Sequence, residues 1–310
     1  MTKKIVTILI AALFLFGCNG INSKKEPQEY EYRTGTQGLE LSFTQGFLTK
    51  LYENDRGISF TIEARNRGAF PQLDELDEFY GNIWLGGFSR DLIRVRPDNI
   101  LLIEQEVEGR SAYNQDGGYT IEEFEVDVYE LPSGSTYFKP TFIATTTYFY
   151  KTIASPVVCI DPSPRSTQVR AKVCTVHDVS PGSQGAPIAI TKIEEDITGE
   201  SILFKIQVEN SGGGIVIPDY LIDQNPHEGY DYRDLDEVRI DEIKLGNVRM
   251  SSCRPDTYLQ LINDQGTIFC RLDKSNIPNE VFTSPLNIEL SYGYMSSISK
   301  DVEIFEEVAY

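Results

Sequence analysis

The residues of this chain with the most distinctive chemistry are its five cysteines and two histidines. His177 lies three residues after Cys174, so these two side chains could form a nucleophile and its base. Nothing else completes a catalytic set, because the G-x-S-x-G elbow is absent and two histidines are too few for a histidine-rich metal site. The sequence therefore predicts a non-enzymatic protein with no catalytic residues.

The N-terminus has the order of features that directs a chain out of the cytoplasm. Lys3 and Lys4 precede an apolar run over residues 5–16. This run is too short to span a bilayer core of ~30 Å, but it is long enough for the apolar part of a signal peptide. It ends in Leu15-Phe16-Gly17-Cys18, which resembles the lipobox of prokaryotic lipoproteins.

The lipobox resemblance implies that residues 1–17 are a lipoprotein signal peptide and that Cys18 carries the lipid. The folded part would then be exported and anchored to the cell membrane, outside the cytoplasm. The alternatives are an ordinary secretory signal with a chance cysteine and a cytoplasmic protein with an apolar N-terminus. Residues 18–34 are polar, contain Pro27 and lack a hydrophobic period, so we expect a disordered tether there.

Four cysteines remain if Cys18 carries the lipid, and export to an oxidising compartment favours disulfides. Three pairings are possible. We favour Cys159 with Cys174 and Cys253 with Cys270, because turn residues lie between the partners of each pair. The first bond would also limit the angle between flanking domains. A four-cysteine metal site is disfavoured, because no two cysteines are as close as its usual spacing of about two to four residues requires.

Hydrophobic alternation with a period of two residues dominates the remaining sequence, and long helical periods are absent. Alternation of this kind, rich in β-branched and aromatic residues, predicts strands that are buried on one face. The chain is therefore expected to be all-β. Examples are Leu39, Leu41 and Phe43, then Ile58, Phe60 and Ile62, and in the second half Phe204, Ile206 and Val208.

The two halves of the chain also resemble each other. Residues 58–68 end in Asn-Arg-Gly, and residues 202–212 align with them and end in Asn-Ser-Gly. At the same offset two tyrosines fall on two others, Tyr148 and Tyr150 on Tyr292 and Tyr294. These matches predict a tandem duplication. The glycine of each Asn-x-Gly is expected to allow a positive φ where the chain leaves the strand.

The strand that precedes each Asn-x-Gly resembles an early strand of the immunoglobulin-like (Ig-like) modules on bacterial and archaeal surfaces, such as CARDB-type cell-adhesion-related domains. The resemblance implies two tandem Ig-like β-sandwich domains behind the signal peptide and the tether. We place the first at residues 35–160, a disulfide-closed connector hairpin at residues 161–182 and the second at residues 183–310. The Cys…Trp…Cys spacing of antibody domains is absent.

The loop after the second Asn-x-Gly combines acidic residues with tyrosines and is the best candidate for a binding site. Carboxylate oxygens are ligands that Ca²⁺ prefers, and tyrosine suits recognition surfaces. A solvated acidic surface is the alternative, because the EF-hand pattern is missing. We expect no cofactor unless this loop binds Ca²⁺. The candidate ligand or Ca²⁺ residues are Asp219, Asp223, Tyr230, Asp231, Tyr232 and Asp234.

The formal net charge of −19 argues against nucleic acid as a partner, because the chain would repel phosphates. The features together favour a lipid-anchored cell-envelope protein that presents Ig-like modules for adhesion, scaffolding or assembly of a surface complex. Its partners would be the membrane and other envelope or surface proteins. The alternative is an envelope lipoprotein that binds a small ligand or carbohydrate through the Tyr- and Asp-rich loop. An envelope hydrolase would need paired carboxylates in a shared cleft.

Overall fold

Strands and short 3₁₀ turns make up the regular structure of the protein, which is a computed structural model. It describes residues 31–102, 107–164, 172–250 and 252–307, and no α-helix occurs in these ranges. The all-β prediction is therefore confirmed. The predicted signal peptide, Cys18 and most of the predicted tether lie outside the described residues.

The strands of the first half are β1 (Leu39–Phe43), β2 (Lys50–Tyr52), β3 (Ile58–Asn66), β4 (Gly81–Gly86), β5 (Ile93–Arg96), β6 (Asn99–Leu101), β7 (Tyr119–Val128), β8 (Tyr137–Phe138), β9 (Thr141–Ala154) and β10 (Val157–Ile160). Those of the second half are β11 (Ile188–Ile197), β12 (Ser201–Asn210), β13 (Ile215–Ile217), β14 (Glu237–Leu245), β15 (Val248–Arg249), β16 (Ser252–Arg254), β17 (Tyr258–Gln260), β18 (Gln265–Asp273), β19 (Phe282–Asp301) and β20 (Glu303–Phe305). The 3₁₀ turns are Leu76–Glu78, Asp219–Leu221, Pro226–Glu228, Tyr232–Asp234 and Lys274–Asn276.

A nine-stranded sheet forms the centre of the fold and takes strands from both halves. Its main order is β15-β14-β19-β9-β4-β6, with β10 and β13 paired to β19 and β17 paired to β14. Strands β9 and β19 run antiparallel along the whole 14-residue length of β9. The two halves of the sequence are therefore joined by continuous backbone pairing.

The pairing of β9 with β19 places the duplicated tyrosines symmetrically. Tyr150 lies opposite Tyr292, and Tyr148 lies opposite Tyr294. The duplication aligns Tyr148 with Tyr292 and Tyr150 with Tyr294, so equivalent tyrosines occur in reverse order across the two strands. Phe149 lies opposite Gly293, the residue that the duplication aligns with it. A local pseudo-twofold axis consequently passes between Phe149 and Gly293.

Two four-stranded sheets cover one face of the central sheet, with orders β1-β3-β7-β5 and β11-β12-β18-β16. Each meets it through a buried tyrosine. The backbone N–H of Leu39 donates to Tyr148 Oη at 3.1 Å, and the N–H of Ile188 donates to Tyr292 Oη at 3.2 Å. Alternate residues of both covering sheets point inward, including Phe60, Ile62, Phe204 and Ile206, and they belong to one continuous core.

The shared sheet changes the expected role of the first disulfide. Both favoured bonds are present: Cys159–Cys174, with a Cα–Cα distance of 5.9 Å, and Cys253–Cys270, whose residues lie opposite each other on β16 and β18. Residues Glu31–Tyr310 form one compact unit. The expectation that the first bond limits an interdomain angle is wrong, because the pairing of β9 with β19 already fixes the two halves together.

The Asn-x-Gly motif has a different basis from the expected one. Neither Gly68 nor Gly212 has a positive φ. Each glycine is required by space, because a Cβ on Gly68 would overlap Tyr150 Oη and a Cβ on Gly212 would lie 2.5 Å from Tyr294 Oη. The duplicated asparagine, glycine and tyrosine are therefore parts of one packed arrangement that occurs in each half.

Candidate functional site

The Tyr- and Asp-rich loop predicted from the sequence connects β13 to β14, and we call residues 218–236 the crossing loop. Three 3₁₀ turns give it shape. Asn225 Oδ1 accepts from the N–H of His227 at 3.0 Å, and Asp231 Oδ1 accepts from the N–H of Arg233 at 3.0 Å. Asparagine and aspartate favour such caps because a short side chain can satisfy an unpaired backbone donor.

The crossing loop belongs to the second half but is bonded to the first. Asn82 Nδ2 on β4 donates to the carbonyl of Ile222 at 3.1 Å and to Asp223 Oδ1 at 2.9 Å. Thr147 Oγ1 on β9 donates to the same carbonyl at 2.7 Å. Asn82 and Thr147 are buried, so these bonds fix the loop over the outer face of the central sheet.

A small second core holds the crossing loop on that outer face. Ile217, Leu221 and Ile222 are buried together, and Phe149 packs against them. Gly293 allows this packing of the loop on the sheet, because a Cβ at position 293 would lie 2.7 Å from the carbonyl oxygen of Ile217. The two residues on the pseudo-twofold axis thus have different tasks, since Phe149 supplies an aromatic surface and Gly293 leaves room for the loop.

A cleft of about 130 Å³ lies between the crossing loop and the outer face of the sheet. Phe149 of β9 and Ser291 of β19 contribute to its sheet side, so both halves of the chain contribute. Tyr258, Arg239, Ser291 and Lys151 form one row across four adjacent strands. The lining residues are Phe149, Pro218, Asp219, Tyr220, Asp234, Glu237, Arg239, Tyr258, Ser291 and Tyr292.

The charge of the cleft is predominantly negative. Asp219, Asp234 and Glu237 line it, and within the described ranges none of them forms an ion pair with lysine or arginine. Arg239 Nε donates to Asp241 Oδ1 at 2.7 Å, and this bond raises the pKa of the Arg239 guanidinium. The one cation of the lining is therefore already paired.

Two tyrosines beside the cleft, Tyr220 and Tyr80, have hydroxyls whose pKa is raised by their surroundings. Desolvation, followed by the nearby Asp234 carboxylate, raises the pKa of Tyr220 above its ordinary value. Tyr80 stacks on Phe149 with ring centroids 5.5 Å apart and an interplanar angle of 8°. Burial and the Asp219 and Asp223 carboxylates raise the pKa of Tyr80.

The structure divides the six residues predicted for this loop. Asp219 and Asp234 line the cleft, whereas Asp223 accepts from Asn82. Tyr230 Oη donates to backbone carbonyls within the loop, and burial raises its pKa to about 12. The other two do not line the cleft: Asp231 pairs with Arg233 at 2.6 Å, and Tyr232 is 81% exposed.

A Ca²⁺ site in the crossing loop gains no support from the geometry. Among the described residues, no group of three or more His, Cys, Asp or Glu side chains is placed to hold a metal ion. The acidic residues of the loop instead have three different positions: some line the cleft, one caps a 3₁₀ turn, and one accepts a hydrogen bond from β4. Cys174 cannot act as a nucleophile in this state, because its sulfur is in a disulfide, and His177 Nδ1 contacts the carbonyl of Thr175 at 2.9 Å.

Several cleft residues were not among the sites predicted from the sequence: Phe149, Glu237, Arg239, Tyr258 and Ser291. A signal for Phe149 was present, because it alternates with the inward-facing Tyr148 and Tyr150 and must point to the opposite face. Phe149 is covered on that face by the crossing loop. The other four residues gave no comparable signal.

Comparisons with known proteins identify no family for the chain. No protein-family model matches it, and no curated protein matches it. Among solved structures, BspA_C_WT is 9% identical and the match covers 88% of this chain and 100% of that one, with a TM-score of 0.16. BspA_C_mut is 8% identical over 87% of this chain and 98% of that one, also with a TM-score of 0.16. Likeness at this level supports no conclusion about fold or role.

Two disulfides are typical of a protein that folds in an oxidising compartment. Within the ranges that the structure describes, no helix has the length and apolarity needed to cross a membrane.

Proposed function

We propose that this chain is an exported, lipid-anchored envelope protein that presents two Ig-like units as one rigid body for adhesion, scaffolding or assembly of a surface complex. The observation that carries the proposal is the pairing of β9 with β19, which makes one sheet out of two duplicated units. A scaffold needs a fixed geometry between its binding faces. Continuous backbone pairing supplies that geometry better than a flexible linker between two domains.

The Ig-like assignment is supported by the way each half is layered. In each half a four-stranded sheet packs on its own share of the central sheet, and the alternating strand residues fill the space between them. This is the arrangement of a β-sandwich. The proposed units differ from independent tandem domains in sharing one sheet.

The anchor at Cys18 is supported by the lipobox-like sequence alone. Replacement of Cys18 by Ala should release the protein from the detergent phase, and mass spectrometry of the wild-type N-terminal peptide should show an acylated cysteine. The matched control is Ser23→Ala, which changes a nearby polar residue and leaves the lipobox intact. Equal detergent partitioning of wild type and Cys18→Ala would contradict the anchor.

The partners can be sought by crosslinking intact cells and then purifying the protein. Wild type should yield a small set of crosslinked envelope proteins, and Cys18→Ala should lose them because it is no longer held at the membrane. If the same proteins were captured in equal amounts with both variants, anchoring would play no part in assembly. If no crosslinked protein were enriched over an unrelated lipoprotein, the scaffold role would be wrong.

The cleft favours a second candidate function, the binding of a small ligand. Phe149, Tyr220 and Tyr258 give it an aromatic surface, and carboxylates lie beside them. Two of these carboxylates act on Tyr220: Asp219 Oδ1 accepts from the N–H of Tyr220 at 2.8 Å, and the nearby Asp234 carboxylate contributes to the raised pKa of the Tyr220 hydroxyl. Aromatic surface with a few polar groups placed beside it is typical of small-ligand sites.

A further inference from the structure

We propose that the cleft between the crossing loop and the central sheet binds an organic ammonium group. This inference rests on the small-ligand function proposed above and specifies the chemistry of the ligand. It is carried by three independent features of the cleft: a hydroxyl without a hydrogen-bond partner among the described residues, exposed aromatic rings, and carboxylates without an ion-pair partner among the described residues.

The first feature is the hydroxyl of Ser291. This residue is only 2% exposed and lines the cleft. Within the described part of the chain its side chain forms no hydrogen bond, and its Oγ is not among the fully enclosed unpaired atoms, so the hydroxyl reaches the surface of the cleft. Ser291 lies opposite Arg239 on β14 and Lys151 on β9, and both of these cations are already bonded to carboxylates. Its hydroxyl is therefore available to a donor on a ligand.

The second feature is the set of aromatic rings. Tyr220 is 58% exposed and Tyr258 is 53% exposed, although both line a cavity. Phe149 is half-buried and is held in place by the stacked ring of Tyr80. The faces of aromatic rings attract cations, and sites for alkylated ammonium groups are commonly built from such rings.

The third feature is the charge. Asp219, Asp234 and Glu237 have no lysine or arginine ion-pair partner among the described residues, whereas Arg239 is paired with Asp241. An anion would therefore be repelled. A neutral sugar would not need this excess of negative charge. A cation with an apolar body satisfies both the carboxylates and the rings.

The size of the cleft limits the ligand further. Its volume of about 130 Å³ is well below the ~300–1,000 Å³ of sites that enclose a drug-sized molecule. It fits a head group rather than a complete multi-ring ligand. The ammonium group could belong to a free small amine or to a lysine side chain of another protein, and the experiment below distinguishes these two sources.

The test measures binding to the folded protein by isothermal titration calorimetry with four probes. Choline represents a free ammonium compound, and N-acetyl-lysine methylamide represents a protein side chain. The uncharged analogue 3,3-dimethylbutan-1-ol has the shape of choline without its charge, and N-acetylglucosamine represents a neutral sugar. We expect one of the two ammonium probes to bind at least about tenfold more tightly than the uncharged alcohol, and the tighter of the two identifies the source.

Variants locate the binding in the cleft. Tyr258→Ala removes an exposed ring and should weaken ammonium binding by about 2- to 30-fold. Glu237→Gln should also lower the affinity for the ammonium probe, because it removes one negative charge from the cleft. Glu228→Gln is the matched control, because Glu228 is a carboxylate of the crossing loop that does not line the cleft.

Each outcome decides between the proposals. Equal affinity for choline and its uncharged analogue would overturn the ammonium inference, and so would equal weakening by Glu237→Gln and Glu228→Gln. Binding of N-acetylglucosamine alone would overturn the ammonium inference while the small-ligand function survived. Absence of binding by all four probes would overturn the ammonium inference, and the crosslinking experiment on intact cells would then stand as the separate test of the scaffold role.

Discussion

Replacing Tyr150 by phenylalanine should destabilise both halves of the protein together. The Tyr150 hydroxyl donates to Asn66 Oδ1 at 3.1 Å and accepts from the backbone N–H of Phe70 at 3.3 Å. All three groups are buried. Asn66 Oδ1 keeps a second donor, the N–H of Gly68 at 3.0 Å, but the variant leaves the N–H of Phe70 without this partner.

The expected cost follows from that single unpaired donor. A buried donor without a partner costs about 1–3 kcal/mol. At about 2.1 cal/mol/K of unfolding entropy per residue, each kcal/mol lowers the Tm of a chain of this size by about 1.5–2 °C, so the variant should melt roughly 2–6 °C below wild type. Tyr150 is on β9, and the whole length of β9 pairs with β19. The loss of stability should therefore affect the entire folded unit.

Differential scanning calorimetry measures this directly. Wild type and Tyr150→Phe should each show one transition, displaced as a whole in the variant. Tyr294→Phe is the symmetric partner, because Tyr294 Oη donates to Asn210 Oδ1 at 2.9 Å and accepts from the N–H of Gly214 at 2.7 Å. Tyr137→Phe, on an exposed tyrosine, should have little effect. Two resolved transitions, one of them unmoved by Tyr150→Phe, would refute the reasoning.

Three further predictions concern a carboxyl, a disulfide and a glycine. Desolvation, with a smaller contribution from Asp161, raises the pKa of Glu195 from 4.5 to about 7. Glu195 Oε1 is buried and has no hydrogen-bond partner among the described residues, so nothing offsets this desolvation. The folded state therefore binds the proton more tightly than the unfolded chain, and the free energy of unfolding should fall as pH rises from about 4.5 to 7. Glu195→Gln should flatten this dependence in urea titrations, and Glu194→Gln, which removes a carboxylate paired with two lysines, should not. Loss of the buried Cys253–Cys270 bond by double alanine substitution should lower the free energy of unfolding by about 2–5 kcal/mol, whereas loss of Cys159–Cys174 should mainly increase proteolysis between those residues. Gly68→Ala should lower Tm because its Cβ would overlap Tyr150, while Gly46→Ala, with nothing within 4 Å, should not.

The strands themselves could be predicted from the sequence because alternation records which side of each strand is buried. The pattern at Ile58, Phe60 and Ile62 lies in β3, and the pattern at Phe204, Ile206 and Val208 lies in β12. Tyr148 and Tyr150 alternate in the same way along β9, and both are buried. Alternation depends only on burial, so it is informative wherever one face of a sheet meets the core.

The partner of each strand could not be predicted in the same way. The tyrosines of β9 would be buried whether β19 lay beside them or in a separate domain, because burial of one face does not specify the neighbour at the edge. The duplication suggested two independent sandwiches. The pairing of Tyr150 with Tyr292 shows instead that the duplicated strands meet each other.

The cleft was only partly predictable for a related reason. Composition identified the crossing loop, but spacing could not show that Asp223 is used to bind Asn82 while Asp219 and Asp234 remain at the cleft. That division depends on where β4 lies under the loop. Ser291 and Arg239 come together only through the register of β14 with β19.

The cleft exists because the two residues on the pseudo-twofold axis have side chains of different size. Phe149 and Gly293 occupy equivalent positions opposite each other, and a side chain on Gly293 would collide with Ile217 at the entrance to the crossing loop. Because position 293 is glycine, Ile217 and Ile222 can pack against the sheet. The loop that follows Ile217 then places Asp219 and Tyr220 beside Phe149. One half thus supplies an aromatic surface and the other supplies the loop that covers it, so a site of this composition requires both copies and a difference between them.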